Sequence, residues 1–304
     1  SETNESETND SDTKEIIIYI ILRLKYISFS IYIMKTVYYY QTFVGLHKLM
    51  THLQDIDMII VSSIHFDKDK HGEKHIYLND NPPNDPLFDE LWNETENCST
   101  QGVSIMLMIG GAGGAYQNLF KDFNTYYPML KKLLYEKTFI KGINLDVEEE
   151  VSLDHLKMFI RALKHDFPDY KLSMAPISES MISDSSGMGG FSYKELYNSY
   201  EETLIDWYNV QCYDSFSFET YDKIIKNGYP PEKIIMGMES GQFDKTSFQE
   251  ALDQVTLCLR KYPSMAGVYD WEYLNAPPDN NDCSAWCKLM KRLNFKSYSI
   301  DYHM

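Results

Sequence analysis

Apolar and polar positions alternate through the middle of the chain. In FIKGINLDVEEEV (Phe139–Val151), Ile143, Leu145 and Val147 interleave with Asn144, Asp146 and Glu148. A period of two reads as a β-strand with the two sets on opposite faces. Strand-like runs recur along the chain. The first half carries Thr36–Phe43, Met58–Phe66, Val103–Gly110 and Gly142–Glu148; the second carries Lys171–Pro176, Trp207–Tyr213, Lys233–Glu239 and Ala266–Tyr273. Between them the apolar spacing becomes helical. Leu153–Phe167 and Thr246–Tyr262 are examples, the second with Ser247 as an expected N-cap and Glu250 three residues on.

Eight strands alternating with helices predict an α/β fold closed as a (β/α)8 TIM barrel, a single catalytic domain over residues 34–304. The length suits it, since such barrels need about 250 residues. The rival is an open doubly wound sheet, whose dinucleotide-binding form would carry a Gly-rich turn after the first strand. Here the glycines of IGGAGGAY follow the third strand, with no Gly-Lys-Ser/Thr, and read as a tight turn with close backbone approach. No large insertion follows the seventh strand, in GMESGQFDKTSF.

The barrel changes the reading of the central strand. Alternate residues of a barrel strand face the interior. Ile143, Leu145 and Val147 are then expected to pack outward, and Asn144, Asp146 and Glu148 to point inward, about 6.6 Å apart. Glu148 lies nearest the C-terminal mouth, where barrel enzymes place their chemistry. Close, buried carboxylates raise one another's pKa, a route to a Glu148 that stays protonated as a general acid. The plainer alternative is a solvated strand-end cluster, and Glu149 and Glu150 are expected at the surface.

A formal net charge of −17 argues against nucleic acid as a partner, because phosphate binding needs Lys and Arg clusters. The odd cysteine count, with Cys283 and Cys287 four apart, does not form a disulfide framework, and ordinary thiols or at most one local bridge are expected. His65, His71 and His75 fall in a polar stretch without a metal-like spacing of further ligands, so no metal and no cofactor are expected. Residues 1–33 look foreign to the barrel. SETNESETNDSDTK is polar and acidic, the composition of disordered chain. The apolar run Glu15–Met34 is broken by Arg23 and Lys25, each costing about 2.5–3.5 kcal/mol in a membrane. Its acidic start and lack of terminal small residues also fit a cleavable signal poorly. A domain start near Met34 after an appended extension is expected, with no membrane anchor and a monomeric state. The compartment is left open, the cytoplasm being favoured marginally.

At this point the residues resemble a family, glycoside hydrolase family 18, the chitinases and their relatives. Its signature, D-G-x-D-x-D-x-E at the end of the fourth barrel strand, aligns with Lys141, Gly142, Ile143, Asn144, Leu145, Asp146, Val147 and Glu148; the last two acidic positions match and the first two do not. MLMIGGAGG resembles the third-strand S-x-G-G region, with Met108 in place of the Ser. LSMAP, VQCYD and GVYDWEY are similar to the fifth-, sixth- and eighth-strand segments. The resemblance covers the chain from Met34 onward.

It implies a substrate-assisted retaining mechanism, in which the substrate's own N-acetyl carbonyl attacks the anomeric carbon and no protein nucleophile is needed. By correspondence, Glu148 protonates the leaving oxygen and later activates water. Asp146 holds the acetamido N–H, Tyr213 donates to the acetamido oxygen, Asp214 contacts the distorted sugar, and Trp271 stacks on its apolar face. Gln211 is an interior amide at the site, while Tyr40 and Phe66, at the ends of the first two strands, are candidate sugar-stacking residues. Asp270 is expected to point away from Trp271 and to need a partner. Asn144 stands where the family keeps a third inward carboxylate. It is expected to donate a hydrogen bond to Asp146 and hold it more firmly ionised, slowing or pH-shifting turnover. The implied substrate is a β-1,4-linked N-acetylglucosamine polymer, chitin or chitooligosaccharide. The alternatives are an endo-β-N-acetylglucosaminidase acting on N-glycan cores, or a catalytically silent chitooligosaccharide-binding protein, which retention of Asp146 and Glu148 disfavours.

Overall fold

A computed structural model describes residues 33–296, with the side chains of the last two left out. The predicted extension up to residue 32 lies outside the described residues. Eight parallel strands form the frame: β1 (Lys35–Tyr40), β2 (Met58–Lys68), β4 (Ser104–Gly110), β5 (Ile140–Asp146), β6 (Lys171–Met174), β7 (Trp207–Gln211), β8 (Ile234–Glu239) and β9 (Gly267–Trp271). Their order is β1-β9-β8-β7-β6-β5-β4-β2, and β2 pairs back onto β1, so the sheet closes. This is the predicted (β/α)8 barrel. Each of the eight strand-like runs of the sequence supplies one strand.

The pattern of branched and aromatic residues explains two cores. Outward-facing Ile59, Val61, Ile105, Leu107, Ile143 and Leu145 pack under the helices. Inward-facing Val37, Tyr39, Ile60, Met106, Met108 and Tyr269 fill the barrel. Gly237 on β8 makes room for one of them, because a Cβ there would lie 1.9 Å from Cζ of Tyr269.

The helices follow the predicted faces. In α4 (Leu153–Asp166), Leu156, Phe159, Ile160 and Leu163 are buried, one stripe at spacings of three and four. In α8 (Phe248–Lys261) the buried stripe is Phe248, Ala251, Val255, Cys258 and Leu259. Ser247 does not cap α8 as expected. Asp244 instead orders the turn before the helix, its Oδ1 accepting from the Thr246 and Ser247 N–H groups at 2.8 and 3.0 Å. The connection from β8 to α8 is short, without a large insertion.

One strand departs from the expected pattern. β3 (Lys74–Leu78) runs antiparallel to the far end of β2 and makes a hairpin there. The stretch holding His71 and His75 was expected as a polar loop. Asp69 organises the turn, its Oδ1 accepting from the His71 and Glu73 N–H groups, with Gly72 in the left-handed region. A two-stranded projection needs no buried face on both sides, so its sequence lacks the apolar alternation of the barrel strands.

Candidate active site

The catalytic candidates come from the C-terminal ends of three strands. Asp146 is the last residue of β5 and Gln211 the last of β7, while Trp271 ends β9. Glu148 and Tyr213 lie two residues past their strands, so the predicted strand Gly142–Glu148 stops short of Glu148. These five side chains converge on one cavity of about 210 Å³, where Ser63, Met108 and Gln41 also contribute wall. Gln211 donates from Nε2 to Oδ1 of Asp146 at 3.2 Å and to the Ala175 carbonyl at 3.0 Å. The Trp271 ring tilts against Tyr39 with centroids 5.3 Å apart. Tyr269 donates its hydroxyl to that of Tyr213 at 3.3 Å, which sets the Tyr213 phenol at the cavity wall.

The electrostatics differ from expectation in one respect. Asp146 is the carboxyl held well above its usual range, by burial first and then by the Glu148 carboxylate beside it and the hydrogen bond between them. Glu148, the residue expected to keep the proton, sits half-buried at the mouth, whereas Asp146 is deep and surrounded by tyrosines 39, 116, 193 and 213. Burial, more than repulsion from its neighbour, raises Asp146. Tyr213 is also raised well above the ordinary phenol by burial, so it serves as a neutral hydrogen-bond donor.

Asn144 points into the barrel below the cavity and does not line it. Its Nδ2 donates to Oγ of Ser173 at 2.8 Å, and its Oδ1 accepts from the Tyr39 hydroxyl at 3.1 Å, itself the acceptor from Asn209. The expected donation to Asp146 is therefore absent among its hydrogen bonds. Only the absence of a third charge at position 144 is left to favour the ionised form of Asp146, against burial, which raises it.

Tyr40, Phe66 and Asp214 are not brought to the cavity. Since Tyr39 faces inward, its neighbour Tyr40 faces the helices, fully buried, with its hydroxyl accepting from Gly45 N–H at 2.7 Å. Phe66 fails for a subtler reason. Between β2 and β4, Val61 pairs with Leu107 but Ile64 pairs with Ile109, so β2 carries one extra residue. A bulge of one residue turns every later side chain to the other face. Ile60 faces in, yet Ile64 and Phe66 face out, and Phe66 packs on Tyr126 at 5.6 Å. Asp214 sits exposed in the turn after β7, with φ of 55°. Asp270 does point away from Trp271, and its partner is Ser240, whose hydroxyl donates to Oδ2 at 2.6 Å.

Sequence reasoning missed Tyr39, Gln41 and Ser63. Tyr39 was accessible from alternation in TVYYYQ; Ser63 was hidden by the bulge. It also misjudged Glu149. This carboxylate is half-buried and accepts from the main-chain N–H groups of Ala115 and Tyr116, where α2 (Tyr116–Lys121) begins. Beside the catalytic cavity lies a second, wider and more polar pocket of about 540 Å³, lined by His65, Tyr77, Asn79 and Asn118, which shares Gln41 and Ala112 with the first. Among the described residues no three His, Cys, Asp or Glu side chains gather to hold a metal ion, and no helix is long and apolar enough to cross a membrane. The five cysteines are buried free thiols.

Comparison with known proteins gives the chain a family. Residues 34–287 match the family model described as glycosyl hydrolases family 18. No curated protein matches the chain at a significant level. Among solved structures, a fungal endo-β-N-acetylglucosaminidase of that family is 28% identical with a TM-score of 0.75, covering 85% of this chain and 97% of its own. A chitinase, ChiC, from Aspergillus fumigatus is 28% identical with a TM-score of 0.73, covering 81% of this chain and 94% of its own. A chitinase from Pseudoalteromonas aurantia, 17% identical with a TM-score of 0.63, covering 85% of this chain and 99% of its own, shares the fold.

Proposed function

The chain belongs to glycosyl hydrolase family 18, whose substrates contain N-acetylglucosamine, and from that premise we propose that it hydrolyses β-1,4 linkages between N-acetylglucosamine units. The observation that carries the reading is the convergence of Asp146, Glu148, Gln211, Tyr213 and Trp271 on one cavity at the barrel mouth. In the proposed reaction Trp271 floors the sugar ring, and the acetamido group folds under it toward Asp146 and Tyr213. Tyr213 donates to the acetamido oxygen and orients it for attack on the anomeric carbon. Asp146 takes the acetamido N–H and stabilises the positive charge of the cyclic intermediate. Glu148, at the mouth, gives a proton to the departing oxygen and then removes one from the incoming water. No protein nucleophile is required.

The proton for Glu148 has a source in the pair itself. Asp146 is raised and hydrogen-bonded to Glu148, so a proton held by the pair lies between the two carboxyls. When Asp146 turns to the acetamido N–H it becomes the better anion, which favours the proton on Glu148.

Chitooligosaccharides are the first substrate proposed. The N-glycan core is the second, supported by the likeness to a fungal endo-β-N-acetylglucosaminidase over nearly its whole length. The test is product analysis on two substrates, a chitooligosaccharide and a glycopeptide carrying an N-glycan core. Retention of the β configuration in the first-formed product is expected. Replacing the acetamido group by a free amine on the sugar whose bond is cut abolishes turnover in this scheme; full turnover of the deacetylated substrate rules substrate assistance out.

A further inference from the structure

One short loop separates the catalytic cavity from the wider polar pocket. Gly111 and Ala112 line the first; Ala112, Gly113 and Gly114 line the second. The loop has little stiffness of its own, since Gly110, Gly111, Gly113 and Gly114 all occupy the left-handed region, with φ of 95°, 79°, 102° and 77°. It nevertheless lies against the catalytic pair. Gly111 N–H donates to the Asp146 carbonyl at 2.9 Å, and a Cβ on Gly111 would sit 3.5 Å from Asp146 Oδ2.

Two side chains hold the loop from outside the cavity. His65 Nδ1 lies 2.8 Å from the Gly114 carbonyl, which can only accept, so Nδ1 carries the hydrogen and Nε2 faces Oγ of Ser63 at 2.8 Å. Glu149 takes the other side. One oxygen, Oε1, accepts from both the Ala115 and the Tyr116 N–H groups, in the space left by Gly114, whose Cβ would be 3.0 Å from Oε2. Glu148 and Glu149 are adjacent, yet one lines the cavity and the other grips the back of its wall.

We infer that Glu149 is a positioning residue for the reaction: it pins the Gly110–Ala115 loop over Asp146 and so keeps water off that carboxyl. The inference rests on the proposed hydrolysis but makes a separate claim about the loop. Without the grip, the loop's glycines let it lift, solvent reaches Asp146, and the burial that raises its pKa is relieved. Glu149→Gln keeps an amide oxygen in the place of Oε1 and is expected to retain the function.

The test uses the full chain with Glu149→Ala, Glu149→Gln and Gly114→Ala, the last crowding the carboxylate while leaving it present. Hydrogen exchange at the Ala115 and Tyr116 amides is expected to quicken about tenfold or more in the two alanine variants and to stay at the wild-type rate in Glu149→Gln. On a fluorogenic chitooligosaccharide, kcat is expected to fall about tenfold or more in the alanine variants. The limb of the pH–rate profile governed by Asp146 moves to lower pH, and Glu149→Gln restores both. Faster exchange with an unmoved profile and unchanged kcat overturns the inference, as does unchanged exchange. A uniform fall in thermal midpoint with wild-type kinetics means a merely structural role and also overturns it. If one alanine variant does not fold, the other decides. If the wild type turns over no substrate, the hydrolysis reading fails. The loop claim is then decided by exchange and by chitooligosaccharide affinity, expected to weaken about tenfold in the alanine variants and to recover in Glu149→Gln.

Discussion

Asp146 and Glu148 stand two positions apart on one strand end, yet their surroundings differ, and that difference divides the work between them. Asp146 is buried and shifted upward; Glu148 faces the mouth, where a leaving group would depart. Asn144, one step deeper, satisfies both ends of its amide on Ser173 and Tyr39. Those two hydroxyls can also donate to a carboxylate, so Asp fits the same place. An Asn144→Asp variant is expected to fold normally and to move the alkaline limb of the pH–rate profile upward, because a second negative charge about 6.6 Å from Asp146 makes the pair harder to deprotonate. An unmoved profile, measured from pH 4 to 10, would show that position 144 is electrostatically isolated from the pair. The identity of each of these residues was legible in INLDVE. The partners were not, because Ser173 and Tyr39 come from other strands and alternation says only which way a side chain points.

At the scale of elements, the strands were readable because each one buries most of its residues and carries apolar ones on at least one face. The hairpin strand β3 was missed because it does not. Parity along β2 misled for a local reason: one extra residue near Ser62 and Ser63 sends Phe66 outward and brings Ser63 into the cavity. Alternation carries no mark of a bulge, so a strand read end to end inherits the error past that point. Packing between strands also reaches the site. Gly237 on β8 faces Tyr269 on β9, and Tyr269 touches Tyr213. Gly237→Ala forces that ring to move and is expected to cost about 1–3 kcal/mol of stability in urea unfolding. It should also lower kcat by displacing Tyr213. Lost stability with kcat unchanged would mean that the Tyr269–Tyr213 contact does not set the position of the phenol.

For the whole molecule, two groups of carboxyls pull stability in opposite directions with pH. Asp146 and Asp270 are raised in the folded state, both chiefly by burial. Their contribution is full below the unfolded value of about 3.9 and is lost as pH rises through the folded value. Ion-paired and hydrogen-bonded carboxyls do the reverse. Asp166, held at about 2 by Lys131 and His165, and Asp244, held at about 2 by Thr246 and Ser247, contribute above the unfolded value and lose that contribution as pH falls toward 2. Asp222 is lowered in the same sense, by Lys226, Lys261 and Tyr262. Asp270→Asn keeps an acceptor for Ser240 and removes the titration. Its thermal midpoint relative to the wild type is expected to be higher at pH 8 than at pH 4, because the cost of ionising a buried carboxyl is removed. Equal differences at both pH values would mean that Asp270 titrates normally.

The proposed hydrolysis depends most directly on Glu148. The decisive measurement is turnover of a fluorogenic chitooligosaccharide by the full chain and by Glu148→Gln, with binding of the unlabelled sugar followed in parallel by calorimetry. Loss of the general acid is expected to lower kcat about 10²–10⁴-fold while binding and the thermal midpoint stay near those of the wild type. Equal turnover in the two proteins, or binding without turnover in both, would contradict the assignment of Glu148 as the acid of a working glycosidase.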